Sequence, residues 1–193
     1  FRGRRVSKIA VLMFSVIGLV FFILISIILP ISEDDWALSE EQRRIYQYSN
    51  YDFNTLTRRG GCFLDSALQK FDEYLPECFN DKKKGKTYLL WGDSHAASLS
   101  IAMQSRHYNF SQLTSNSCPP IVGFSFKNAK YCDQINDNIL SYVADTSPDY
   151  IILSAYWTRY GQRVSHLDRA LRRIKSASPD SKVIIIGGFP LWV

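Results

Sequence analysis

The stretch Thr87-Tyr88-Leu89-Leu90-Trp91-Gly92-Asp93-Ser94-His95-Ala96-Ala97-Ser98-Leu99 constrains the fold more than any other part of the chain. Thr87 to Trp91 is a short run of aromatic and aliphatic residues, the pattern of a buried strand. Gly92 then gives the backbone room for a sharp turn. From His95 to Arg106 the apolar residues Ala96, Leu99, Ala102 and Met103 fall at helical spacing, which predicts a helix. Ser94 is therefore expected on a tight strand-to-helix turn, beside the partial positive charge of a helix N-terminus. A serine so placed exposes its hydroxyl, and nearby backbone N–H groups can face a developing oxyanion. This is the physics of a nucleophile elbow, although the motif is not G-x-S-x-G. The plainer alternative is an Asp-Ser helix cap on a βα turn.

The pattern continues as α/β. Asn109 to Thr114 reads as a second strand, followed by the loop Ser117-Cys118-Pro119-Pro120. Asp133 to Ala144 reads as a helix with Ile135, Ile139, Leu140 and Val143 on one face. After the turn Ser147-Pro148-Asp149 comes a fully apolar third strand, Tyr150 to Ser154, as expected for a central parallel strand. Arg163 to Ser176 reads as a helix with Leu167, Leu171 and Ile174 inward. Lys182 to Ile186 reads as a fourth strand opening into Gly187-Gly188. Strands alternating with helices imply a parallel sheet with helices on both faces. Ligands in such sheets bind beyond the carboxyl ends of the strands. Ser94, Ser117, Tyr156-Trp157 and Gly187-Gly188 are all expected at such ends.

Ahead of this domain, Phe1 to Lys8 is a basic segment and residues 9–32 carry no charge and are almost wholly apolar. That length suffices to cross a hydrocarbon core of about 30 Å as a helix. The run is long for a signal peptide and ends in Leu29-Pro30-Ile31, so a retained transmembrane helix is expected. Arg2, Arg4, Arg5 and Lys8 place its start on the cytoplasmic side and the remainder outside the cytoplasm. Residues 33–61 read as a periplasmic linker. It holds a short polar helix capped by Ser39 with Gln42 as capping-box partner, and an aromatic cluster of Tyr46, Tyr48, Tyr51 and Phe53. Residues 62–193 form the expected globular domain. The net charge of +5 owes much to the basic segment, and no nucleic-acid motif accompanies it. Arg159, Arg163, Arg169, Arg172, Arg173 and Lys175 make the helix before the fourth strand basic, which reads as a solvated face, with anionic lipid or a pyrophosphate-linked glycan as the alternative contact. Cys62, Cys78, Cys118 and Cys132 show no zinc spacing. Local pairs Cys62–Cys78 and Cys118–Cys132 are the simplest of three connectivities, four free thiols being the alternative. Disulfides would agree with an oxidising compartment. Cys62 to Cys78 then reads as a clipped, amphipathic lead-in. Phe1 in place of Met, and an apolar end without a closing helix, suggest part of a longer protein.

The Gly92-Asp93-Ser94-His95 block resembles the first motif of SGNH/GDSL hydrolases. With the following Ala-Ala-Ser-Leu, the local cysteines and the Cys-Pro-Pro loop, it looks most like the SGNH domains fused to the C-terminal end of acyltransferase-3 membrane proteins. The resemblance implies an SGNH-like α/β fold in a bacterial inner-membrane O-acyltransferase. An acyltransferase-3 domain in cis would bring an acyl group across the membrane, with acetyl-CoA as the expected donor. The SGNH domain would pass it to a hydroxyl of an envelope glycan such as lipopolysaccharide O-antigen. Ser94 would be the nucleophile, with Asp93 and His95 as motif neighbours. The base would come from a D-x-x-H segment, which is not present up to Val193, so residues 1–193 alone are expected to be inactive. His95, His107 and His166 lack the preceding Asp and are poor candidates for the base. The family builds its oxyanion hole from the nucleophile's N–H, a Gly in the second block and an Asn in the third. Ser117 and Tyr156 stand at those positions here, with Asn116 or the Trp157 indole as substitute donors. No bound cofactor or metal is expected in these residues. A membrane-anchored periplasmic esterase, or a degenerate domain that only binds glycan, are the competing readings.

Overall fold

The computed structural model describes residues 7–28, 39–46, 51–80, 85–123 and 127–188, and the chain divides into two units, up to Tyr51 and from Asp52 onward. In the first unit, α1 (Lys8–Ile28) contains the stretch Ile9–Ile27, which is long and apolar enough to cross a membrane and buries none of its side chains. The last residues of the expected span lie outside the described residues, as do nearly all of the basic segment and Tyr48 of the aromatic cluster. Helix α2 (Glu40–Tyr46) has the expected capping box: the Gln42 amide donates to Ser39 Oγ at 3.2 Å and the Ser39 amide to Gln42 Oε1 at 2.9 Å.

The second unit begins at Asp52, so the end of the expected linker belongs to the same compact unit as the sheet. Asp52 caps α3 (Phe53–Leu56), and the Phe53 ring meets Phe63 edge-on at 6.2 Å. Arg58 donates through Nε and Nη2 to Gln112 Oε1 at 3.0 and 2.7 Å, and Gln112 is wholly buried in the sheet.

The sheet has five parallel strands: β1 (Phe63–Asp65), β2 (Tyr88–Gly92), β3 (Phe110–Asn116), β4 (Tyr150–Ser154) and β5 (Lys182–Ile186), in the order β1-β3-β2-β4-β5. Four of these match the expected strands. β1 corrects the reading of its segment as a mere lead-in: it pairs with the end of β3, Phe63 opposite Thr114. Helix α4 (Ser94–Ser105) covers one face, packing Ala96, Leu99 and Met103 on Leu90, Phe110 and Ile152. The other face, with Leu89, Trp91, Leu113, Ile151 and Leu153, is covered by α5 (Cys132–Thr146), and by α7 (Leu167–Ala177) through Ala170 and Ile174. Burial of one such large side chain is worth about 1.5–3 kcal/mol, so this double layer supplies the main stabilisation. Between β4 and α7 the chain makes a single-turn helix α6 (Trp157–Tyr160) and a 3-10 stretch, Gly161–His166. The helix expected from Arg163 therefore begins only at Leu167, after Gly161 adopts a positive φ of 53°. The cysteines pair as Cys62–Cys78 and Cys118–Cys132. Loops of this length stabilise by about 3 kcal/mol each through chain entropy.

The chain leaves central β2 through α4 to β3 on one side, then crosses through α5 to β4 on the other. The carboxyl end of β2 is thus the topological switch point, where parallel α/β sheets bind ligands.

Candidate active site at the end of β2

Gly92 closes β2 with φ +154°, and a Cβ there would lie 1.8 Å from the Ser154 carbonyl oxygen and 3.0 Å from the Ala96 Cβ. Only glycine lets the turn press this closely on β4. The next residue, Asp93, is 1% exposed and caps α4. Its amide donates to the Ser154 carbonyl at 3.3 Å. Its Oδ1 accepts the His95 amide at 2.8 Å, and its Oδ2 accepts the Tyr156 amide at 2.9 Å and the Tyr160 hydroxyl at 2.6 Å. Burial, reinforced by the Asp93 charge, raises the Tyr160 phenol far above its ordinary value, so it stays protonated and donates. The helix-cap reading of the turn thus holds for Asp93. It leaves Ser94, half-buried, as the first residue of α4, where the helix dipole favours negative charge.

The loop after β4 supplies the opposite wall. The Tyr156 ring stacks on the His95 imidazole with centroids 4.9 Å apart and planes 12° from parallel. The Trp157 indole N–H donates to the Ile186 carbonyl at 2.7 Å, at the end of β5. This corrects its candidacy as an oxyanion donor, because that N–H is already committed to the backbone. The Tyr156 amide is likewise committed to Asp93. The Ser154 hydroxyl is fully buried and has no hydrogen-bond partner among the described residues.

On the other side, Ser117 follows Asn116 at the end of β3 with φ +54°. A left-handed backbone is cheapest for glycine, so the serine here carries a conformational cost. The Asn116 carbonyl accepts Ser66 Oγ at 2.5 Å. The Cys-Pro-Pro loop beyond is held from beneath by Asn136 on α5. Its Nδ2 donates to the Pro119 and Ile121 carbonyls at 2.9 and 3.0 Å, while its Oδ1 accepts the Trp91 indole N–H at 2.8 Å. The Cys118–Cys132 disulfide ties the same loop to the start of α5. Asp93, His95 and Tyr156 are therefore joined by direct contacts, Trp157 is tied to the end of β5 instead, and Asn116 and Ser117 share the same sheet edge.

His107 stands past the C-terminus of α4. That helix has 12 residues, so it separates His107 from Ser94 by about 18 Å. His166 is exposed before α7. Sequence reasoning missed Tyr160 and Asn136. Tyr160 had a signal, an aromatic three residues after Trp157 and hence on the same side of one helical turn. Asn136 had another, a polar residue on the stripe that also carries Cys132, Ile139 and Val143.

A family model described as "SGNH domain (fused to AT3 domains)" matches residues 61–193. Among solved structures, the chain is similar to the periplasmic domain of a lipopolysaccharide acetyltransferase from Salmonella ser. Paratyphi A. The two share 26% identity at a TM-score of 0.57, over 75% of this chain and 59% of that one. The chain thus spans about three fifths of that relative's length. Among curated proteins no sequence matches it significantly. With a parallel sheet, a Gly-Asp-Ser-His turn at its switch point and a family match over most of its length, the chain belongs to the SGNH domains that occur fused to AT3 domains.

Proposed function

We propose that the chain is the SGNH part of a bacterial inner-membrane O-acyltransferase and that Ser94 is its nucleophile. The observation that supports this most is the position of Ser94: first residue of α4, at the switch point, on a turn that Gly92 and Asp93 hold against β4. In the first step Ser94 Oγ attacks the carbonyl carbon of the acyl donor and loses its proton to a histidine base from a D-x-x-H segment downstream of Val193. The donor's leaving group departs with a proton, and an acyl-Ser94 ester remains. In the second step the same base takes the proton of a sugar hydroxyl, whose oxygen attacks the ester and regenerates Ser94. Backbone N–H groups of Ser94 and Ser117, with the Asn116 side chain, face the oxyanion in both steps. The acyl group is acetyl, drawn from acetyl-CoA and carried across the membrane by an acyltransferase-3 domain in cis. The acceptor is an envelope glycan of the lipopolysaccharide O-antigen class. Ile9–Ile27 anchors the domain, which faces the periplasm.

In cells carrying the full-length gene, Ser94→Ala should abolish O-acetylation of the envelope glycan, read by NMR of the purified polysaccharide. Unchanged acetylation would rule out Ser94 as nucleophile. Glycan that gains acetyl groups when the intact gene is deleted would point to an esterase instead.

A further inference from the structure

Two donors from the loop after β4 converge on one carboxylate. Asp93 Oδ2 accepts the Tyr156 amide and the Tyr160 hydroxyl, at 2.9 and 2.6 Å, while Oδ1 accepts the His95 amide at 2.8 Å. Tyr160 is 3% exposed and ends the single-turn helix α6, whose first residue, Trp157, is tied to the end of β5. Helix α6 therefore links the exits of β2, β4 and β5. The ring of Tyr160 packs in an apolar cluster with Cys118, Ile121 and Ala129. A phenylalanine would fill that space equally well, so the hydroxyl is the part of Tyr160 that needs a reason.

We propose that Tyr160 is a positioning residue for the Ser94 turn, acting through Asp93. The proposal rests on the reading of Ser94 as nucleophile. A carboxylate one residue before the nucleophile is electrostatically unfavourable, because its charge opposes the oxyanion that develops at Ser94. A short hydrogen bond from a phenol to a carboxylate is among the stronger kinds, and it draws that charge toward the donor. Tyr160 thus holds Oδ2 against the α6 loop. It also keeps the carboxylate from rotating, which preserves the Oδ1 bond that starts α4 at Ser94. Loss of the hydroxyl leaves Oδ2 with the Tyr156 amide alone. The cost then falls on the step that develops charge, and substrate binding is untouched.

The test uses the full-length gene product in its native membranes, with p-nitrophenyl acetate as the probe. Tyr160→Phe should lower kcat about tenfold and leave KM within about twofold. Asp93→Asn should also lower kcat, because an amide accepts at one end only, and adding Tyr160→Phe to it should cost little more, because the bond that Tyr160 makes is then already lost. Wild-type kcat in Tyr160→Phe, or the same loss in both backgrounds, overturns the proposal. Hydrogen exchange reads the arrangement without turnover: the His95 and Tyr156 amides should exchange faster in Tyr160→Phe, while Ala102 and Met103 at the far end of α4 keep their rates. Unchanged exchange at both amides overturns it as well. If Ser94→Ala hydrolyses the probe like the parent, the nucleophile reading has failed, and the exchange experiment alone decides whether Tyr160 positions the turn.

Discussion

Strand β2 is tied to β4 by an aspartate at each end, and the two ties face different solvents. At the entry, Asp149 accepts the Thr87 amide and hydroxyl at 2.9 and 3.1 Å and Lys86 Nζ at 2.7 Å. The Asp149 side chain is 34% exposed and that of Lys86 66%. At the exit, Asp93 also accepts three donors, but it is buried and every donor is neutral. The number of bonds is the same. The difference is that water can replace any partner lost at the entry, and none at the exit. The exit is also where Gly92 meets the Ser154 carbonyl, where Ser117 takes a left-handed backbone, and where the Ser154 hydroxyl has no partner among the described residues. Left-handed backbone also occurs at the entry edge, at His107 and Ser147, so the close Gly92 contact and the buried Ser154 hydroxyl are what set apart the edge that carries Ser94.

Substitutions that break the exit should therefore outweigh those that break the entry. The largest effect is expected at Gly92. Gly92→Ala places a methyl group 1.8 Å from the Ser154 backbone oxygen at a φ that L-residues rarely adopt. A loss of at least about 3 kcal/mol should follow. Denaturant unfolding of residues 52–193 measures it, and a loss below about 1 kcal/mol would mean that β2 and β4 separate readily at this end. Next comes Asn136→Ala, which removes the partner of the Trp91 indole N–H and of the Ile121 carbonyl in the core, while the Pro119 carbonyl keeps the Ile121 amide at 2.7 Å. It should destabilise by about 2–4 kcal/mol. It should also loosen the Cys-Pro-Pro loop, seen as faster amide exchange at Ile121. A near-neutral result would show that water enters beneath the loop and satisfies those groups.

The same contrast explains what could be seen in the sequence. β2, β4 and β5 are short β-rich runs with turn residues on both sides, and α5 has a strong apolar stripe, so periodicity found them within a residue or two. The two disulfides are the simplest of the three pairings that four cysteines allow, and the sequence left free thiols open beside them. β1 was invisible because three residues, Phe63-Leu64-Asp65, are too few to show a period, and their pairing with β3 is non-local. Helix α3 and the start of the compact unit were hidden for a related reason. The bond from Arg58 to buried Gln112 spans 54 positions. At the site, a Gly and a Ser between a strand and a helix announced the turn. The Trp157 indole was offered as an oxyanion donor because its true acceptor, the Ile186 carbonyl, is a backbone atom that sequence patterns do not mark. Asp93 read as a motif neighbour because, among the described residues, all the partners of its side chain but His95 lie more than 60 residues away.

The smallest effect is expected at the entry, and its pH dependence distinguishes it from the others. The hydrogen bond from Lys86, followed by the one from the Thr87 amide, lowers the Asp149 carboxyl from its ordinary value to about 2. In the unfolded chain an aspartate titrates at about 3.9. A depressed folded-state value means that the ionised form contributes stability. That contribution is complete above about 3.9 and is lost as the pH falls toward about 2. Asp149→Asn should therefore lower the melting temperature slightly, by an amount that is constant from pH 7 to pH 4.5. The gap from wild type should then narrow below about pH 4, where the wild-type unfolded state begins to take up the proton. Thermal melts of both proteins across that range provide the check. A gap that persists undiminished to the lowest pH at which both still fold would assign the tie to the neutral Thr87 contacts, which an asparagine side chain also strains. A gap that closes would assign it to the charge, and would leave the buried, charge-neutral donors at Asp93 as the tie on which the geometry of Ser94 depends.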